Sequence, residues 1–131
     1  VGNHREVDVY VDAAGRSDVR DELARLARED KRGFKTVQSR IQMLRLVTLQ
    51  QALESKLIKQ PSGTIYVLRV QSGPVSYRLP FFEVPGSNGK LVILTHLAAR
   101  TTLRGDRYKA LIQSAERRRE DWIRRNCKGG G

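Results

Sequence analysis

Apolar residues recur along this chain in two rhythms, and the switches between them mark its elements. In REVDVYVD, Val7, Val9 and Val11 alternate with charged or polar neighbours, the period of a half-buried strand. After the AAG turn, Ser17 or Asp18 can cap a helix whose apolar stripe is Val19, Leu23, Leu26 and Ala27, with Asp21 and Glu22 suited to its dipole. DKRG then interrupts, and Gly33 reads as a C-cap or turn. A longer helix is expected from Thr36 to Glu54, on the spacing of Phe34, Val37, Ile41, Leu44 and Thr48. Leu46, Leu49 and Leu53 widen its apolar face, and the short connection makes the two helices an antiparallel hairpin.

KQPSG is a turn cluster, and beyond it the rhythm returns to strands: TIYVLRV, VSYRLPFFEV and KLVILTHL. QSGP and PGSNG separate them as hairpin-type connections. The third run is apolar at nearly every position, which predicts a strand covered on both faces. Pro80 has no N–H to give a ladder, so a bulge or an edge-facing position is expected there. Gly105 and Asp106 open a final helix with Tyr108, Leu111, Ile112, Ala115, Arg119 and Trp122 along one side. The predicted fold class is α+β, in the order strand-helix-helix-strand-strand-strand-helix, with a small, mostly antiparallel sheet covered by helices. One domain is expected over residues 1–126, followed by a flexible tail, 127–131.

A length of 131 residues suits one hydrophobic core. No run approaches the roughly 20 apolar residues of a membrane span, and no signal-peptide pattern is visible. Cys127 is the single cysteine and cannot form an internal disulfide, so a cytoplasmic, reducing setting is expected. Charge adds more. Residues 1–30 hold eight acidic and five basic side chains, a net of −3, whereas residues 31–131 hold six acidic and twenty basic, a net of +14. Between Lys31 and Phe82 the only acid is Glu54. A field so one-sided attracts polyanions, nucleic acid foremost.

Several chemistries can be set aside. GSNG joins two strands and lacks the lysine and helix of a phosphate-cradling loop. His4, His96 and Cys127 have no spaced metal partners, so neither a metal nor another cofactor is expected. Arg69 and Arg78 stand out instead, each embedded in apolar sequence on neighbouring strands. Such arginines repel when they share a face unless an anion lies between them, and a phosphate fits the guanidinium fork. His96, at the exit of the third run, titrates near neutrality and could move a proton during RNA cleavage by its own 2′-hydroxyl. The alternative is a strand-end histidine bonded to neighbouring backbone.

The ordered set YVLRVQSG, SYRLPFFEV, LVILTHLAARTT and AERRREDW resembles the RelE/ParE toxin superfamily, most of all its phage-derived, HigB-like branch, over about residues 56–125. That branch carries a leucine-arginine pair, a tyrosine-arginine strand, an apolar strand running into a basic, threonine-rich turn, and a final arginine-bearing helix. The exit segment usually has an aromatic residue and two adjacent lysines, where HLAART has Leu97, Ala99 and Arg100. The resemblance implies a RelE-like fold and a type II toxin that cleaves mRNA on the translating ribosome without metal, inhibits translation, and is silenced by a cognate antitoxin, often of helix-turn-helix type. By motif position it assigns Arg69, Arg78 and Arg100 to the phosphate. His96 is the leading proton-transfer candidate, with Tyr77 and Tyr108 behind it. Lys31, Arg32, Lys35, Lys59, Arg104 and Arg107 are expected to add weaker RNA contacts. The competing class is a non-enzymatic binder, either a ParE-like inhibitor of DNA gyrase or a phage nucleic-acid-binding module. An acidic antitoxin segment laid across the basic sheet or helices is expected to counter the charge.

Overall fold

A computed structural model describes residues 5–86, 89–99 and 105–126. The chain opens with β1 (Arg5–Val9), where Val7 and Val9 turn inward while Glu6 and Asp8 stay exposed. Helix α1 (Asp18–Glu29) starts as its sequence predicts: the Ser17 hydroxyl accepts from the Arg20 N–H at 3.3 Å.

The next two boundaries differ from expectation. Helix α2 (Lys31–Leu46) begins directly after α1, with Asp30 closing one helix and capping the next. Gly33 is therefore no C-cap; it lies in the first turn of α2 and donates its N–H to Asp30 Oδ1 at 3.0 Å. A Cβ there would stand 2.5 Å from the other Asp30 carboxylate oxygen, so the missing side chain makes room for the cap. The long helix also divides. Val47 and Thr48 are extended, and α3 (Leu49–Glu54) restarts behind a capping box in which Thr48 and Gln51 bond each other's backbone. The break frees the Val47 carbonyl for Arg5 Nη2 (2.5 Å), and Arg5 also pairs with Glu83 at 3.0 Å.

The strands follow: β2 (Ile58–Lys59), β3 (Tyr66–Ser72), β4 (Val75–Gly86), β5 (Gly89–Leu94) and β6 (Ala98–Ala99), before helix α4 (Gly105–Asn126). The sheet order is β1-β5-β4-β3-β2, with β1 parallel to β5, the other pairings antiparallel, and β6 adding to β4 past the end of β5. The sheet is mixed and the fold α+β. Strict alternation sorts side chains to two cores. Leu68, Val70, Tyr77, Leu79, Phe81, Val92 and Leu94 meet α1, α2 and α3 on one face. Val67, Phe82, Val84 and Ile93 meet Ile112, Ala115 and Trp122 of α4 on the other. Val92 and Leu94 of β5 enter the first core and Ile93 the second, which accounts for its unbroken apolar run.

Pro80 lies at a break in the ladder, where pairing passes from Phe81–Leu94 to Arg78–Ala98 with one extra residue on the facing segment, in keeping with the bulge expected there. It is buried in β4 opposite Val67, where the neighbour of β4 changes from β5 to β6. Thr95 donates its N–H to the Pro80 carbonyl at 2.9 Å, but proline has no N–H to return. Arg118 of α4 fills that vacancy, donating to the Thr95 carbonyl at 2.7 Å while pairing with Asp18. Among the described residues no helix is long and apolar enough to cross a membrane.

Candidate functional site

Arg69 and Arg78 face each other across β3 and β4. The Arg69 N–H points away from β4, to the Leu57 carbonyl at 3.0 Å, so the two arginines form a non-hydrogen-bonded pair. In such pairs the Cα atoms approach to about 4.5 Å and the side chains lie closest. Their parity matches Val67 and Phe82, so both project onto the α4 face. Arg78 is 8% exposed, with Nη1 on the Tyr77 carbonyl at 3.0 Å, and Arg69 is half-buried.

These two side chains line an open groove of about 1210 Å³ between the start of α4 and the sheet edge at β2. Its other walls are Leu53 and Lys56 at the end of α3, Ile58 and Lys59 of β2, Gln60 and Pro61, and Gly105, Tyr108 and Lys109 of α4. Five of the lining residues are lysine or arginine, and none of the described ones is an acid. The N-terminal end of α4 adds the positive pole of its dipole. Lys56 has φ +63°, a left-handed conformation in which glycine is the usual residue just past a helix end. Its backbone N–H closes on the Leu53 carbonyl at 3.1 Å, which holds the lysine stem at the groove wall.

Sequence-derived candidates divide by location. Arg69, Arg78, Lys59 and Tyr108 come together in the groove. Arg107 is exposed in the first turn of α4 but does not line it. Lys31, Arg32 and Lys35 are exposed on α2, which packs on the opposite face of the sheet. Arg100 and Arg104 lie outside the described residues. Tyr77 belongs to the helical-hairpin core, where burial and then the Asp30 carboxylate raise its pKa.

His96 is not in the groove either. Its Nδ1 is 2.8 Å from Thr95 Oγ1 and its Nε2 is 3.1 Å from Ser114 Oγ, roughly 9 Å further along α4 than Tyr108 at 1.5 Å per residue. The Thr95 hydroxyl donates its one proton to the Pro80 carbonyl (3.2 Å), so Nδ1 must be the donor to Thr95. Nε2 then accepts from Ser114. Burial, with help from the Arg118 charge and against the pull of Asp18, lowers the His96 pKa to about 4. The ring is neutral at pH 7 and both nitrogens are occupied.

Lys56 and Lys109 are groove cations that residue patterning did not single out; the acid-free stretch from Lys31 to Phe82 was the available signal for Lys56. Among the described residues no three His, Cys, Asp or Glu side chains cluster as metal ligands. The arrangement can bind a multiply charged anion, offset charge that develops on it, and offer a phenol beside it. Comparison with protein-family models, curated proteins and solved structures found no match to this chain.

Proposed function

We propose that this chain is a toxin of the RelE/ParE type, nearest the HigB-like branch, that holds mRNA in the α4-face groove and inhibits translation by cutting it. The carrying observation is the in-register Arg69–Arg78 pair within a groove of cations. Like charges directly opposite each other on neighbouring strands are destabilising, and a phosphate between the forks turns that repulsion into binding. In cleavage, the RNA 2′-hydroxyl gives up its proton to a base or to solvent as its oxygen attacks the adjacent phosphorus, and the 5′-oxygen departs with a proton, leaving a cyclic phosphate. Arg69 and Arg78 offset the charge on the pentacoordinate phosphorus. Tyr108 takes the proton-transfer role ahead of His96, because it is the phenol that lines the groove. The reading places the protein in the cytoplasm on translating ribosomes, with a cognate antitoxin of helix-turn-helix type whose acidic segment covers these cations.

The exclusion of His96 from the groove favours one second reading, a non-enzymatic nucleic-acid binder or ParE-like gyrase inhibitor. One experiment separates them: purified protein added to mRNA with and without translating ribosomes, with 5′ ends mapped. Cutting that falls by about 10²–10³ in Arg69→Ala supports the toxin reading. Intact mRNA in both settings, with RNA still bound, overturns it in favour of the binder, and a supercoiling assay then tests gyrase.

A further inference from the structure

We propose that the outer face of α2 is a docking surface for an acidic, amphipathic helix of a partner protein, which sits there while the groove stays open. The inference goes beyond the RNA reading and does not depend on it, because α2 packs on the opposite face of the sheet from α4.

Helix α2 carries five cations, Lys31, Arg32, Lys35, Arg40 and Arg45, and no acid. None of the five pairs with an acid among the described residues. The inner face is complete without them, since Val37, Ile41 and Leu44 are buried in the hairpin core. The outer face runs through Arg32, Lys35, Ser39, Met43 and Leu46, at the three- and four-residue spacing of one helical stripe about 21 Å long. Leu46 is 64% exposed and Met43 38%, so a stripe that begins with cations ends on an apolar pair. No following turn covers Leu46, because Val47 is extended.

A matching helix lays aliphatic side chains on Met43 and Leu46 and carboxylates on Lys31, Arg32 and Lys35, where the positive end of the α2 dipole adds to the attraction. Nucleic acid meets the cations, but its outward phosphates bring nothing apolar to Leu46. A second copy fits poorly too. Stripe against stripe sets like charges together. Among the described residues the other exposed large apolar side chain is Leu53, which lines the groove, so no acidic surface of the chain offers Leu46 an apolar partner.

The test uses the full chain and a fluorescein-labelled helical peptide of about sixteen residues, with glutamates along one half of a face and leucines along the other. A control peptide of equal charge carries glutamine in place of each leucine. The leucine peptide is expected to bind about tenfold tighter by fluorescence anisotropy, the worth of partly covering Met43 and Leu46. Leu46→Gln, at so exposed a position, should keep the wild-type melting temperature and lose that advantage. Lys35→Glu should weaken both peptides several-fold. Amide shifts in NMR spectra should fall on α2 and not at Lys56, Lys59 or Lys109, and single-stranded RNA should not displace the peptide. Equal binding of the two peptides, an advantage that survives Leu46→Gln, or no binding at all overturns the proposal. So does displacement by RNA, or RNA that shifts the α2 amides, since either removes the separation between stripe and groove. A dimer that Leu46→Gln dissolves, measured by sedimentation, assigns the stripe to a second copy instead. The RNA reading stands or falls separately, on Arg69→Ala in the cleavage assay.

Discussion

His96 is held by two hydroxyls, so its protonation bears on stability before it bears on catalysis. Its folded pKa of about 4 lies below the ordinary histidine value near 6.5. Between those values the unfolded chain binds the extra proton, so stability must fall as pH drops from about 6.5 to about 4, by on the order of 2–3 kcal/mol. Urea denaturation across that range should show the loss in wild type and a flatter curve in His96→Gln, whose RNA affinity at pH 7 should stay within a few-fold. Arg69→Gln should do the reverse. Removing one of two opposed positive charges should stabilise the fold by about 0.2–1 kcal/mol while weakening RNA binding. The identity of both arginines and their strand assignment were legible in the sequence. That His96 points at Ser114 was not, because the ring's partners lie on Thr95 and on a helix that joins it only after folding.

At the scale of elements, Pro80 and Arg118 act as a unit. Proline leaves the Thr95 carbonyl without its ladder donor, and a guanidinium from α4 replaces it. Arg118→Ala should therefore cost about 1–3 kcal/mol, since it strands a buried acceptor. In a Pro80→Ala background the same change should cost less, because the restored N–H can serve Thr95. Additive losses in that double-mutant cycle would refute the coupling. The break between α2 and α3 is similarly local in cause: Thr48→Ala should cost about 1 kcal/mol by removing the capping-box hydroxyl. The capping pattern Thr-x-x-Gln was present in the sequence but was outweighed by a helical apolar spacing that continues through it.

Across the whole molecule, the sheet separates two groups of cations that the sequence runs together. Lys56, Lys59 and Lys109 line the groove, whereas Lys31, Arg32 and Lys35 sit on the hairpin side. Replacing the groove lysines by alanine should lower the slope of log affinity against log salt by about 2 for single-stranded RNA. Replacing the α2 trio should lower it by less than about 1. A trio effect equal to that of the groove would show that RNA wraps both faces. Helix α4 is the other global feature, since it carries the groove's Tyr108 and Lys109 at one end and is anchored at the other by Asp121 to Tyr10 and Arg125 to the Val11 carbonyl.

By itself the sequence determined the four longer strands but not the two-residue β2 and β6, together with the two-faced burial of β5, the amphipathic α4 and the segregation of charge, because each of these depends on a local period or a local composition. Tertiary structure decided the rest. Sheet register set Arg69 opposite Arg78, and strand parity turned both toward α4. The switch of partner at Pro80 made an interior proline tolerable, and the packing of α4 drew His96 into a hydroxyl clasp away from the arginines. These outcomes depend on which groups far apart in the chain come within hydrogen-bond reach, and a local pattern carries no record of that.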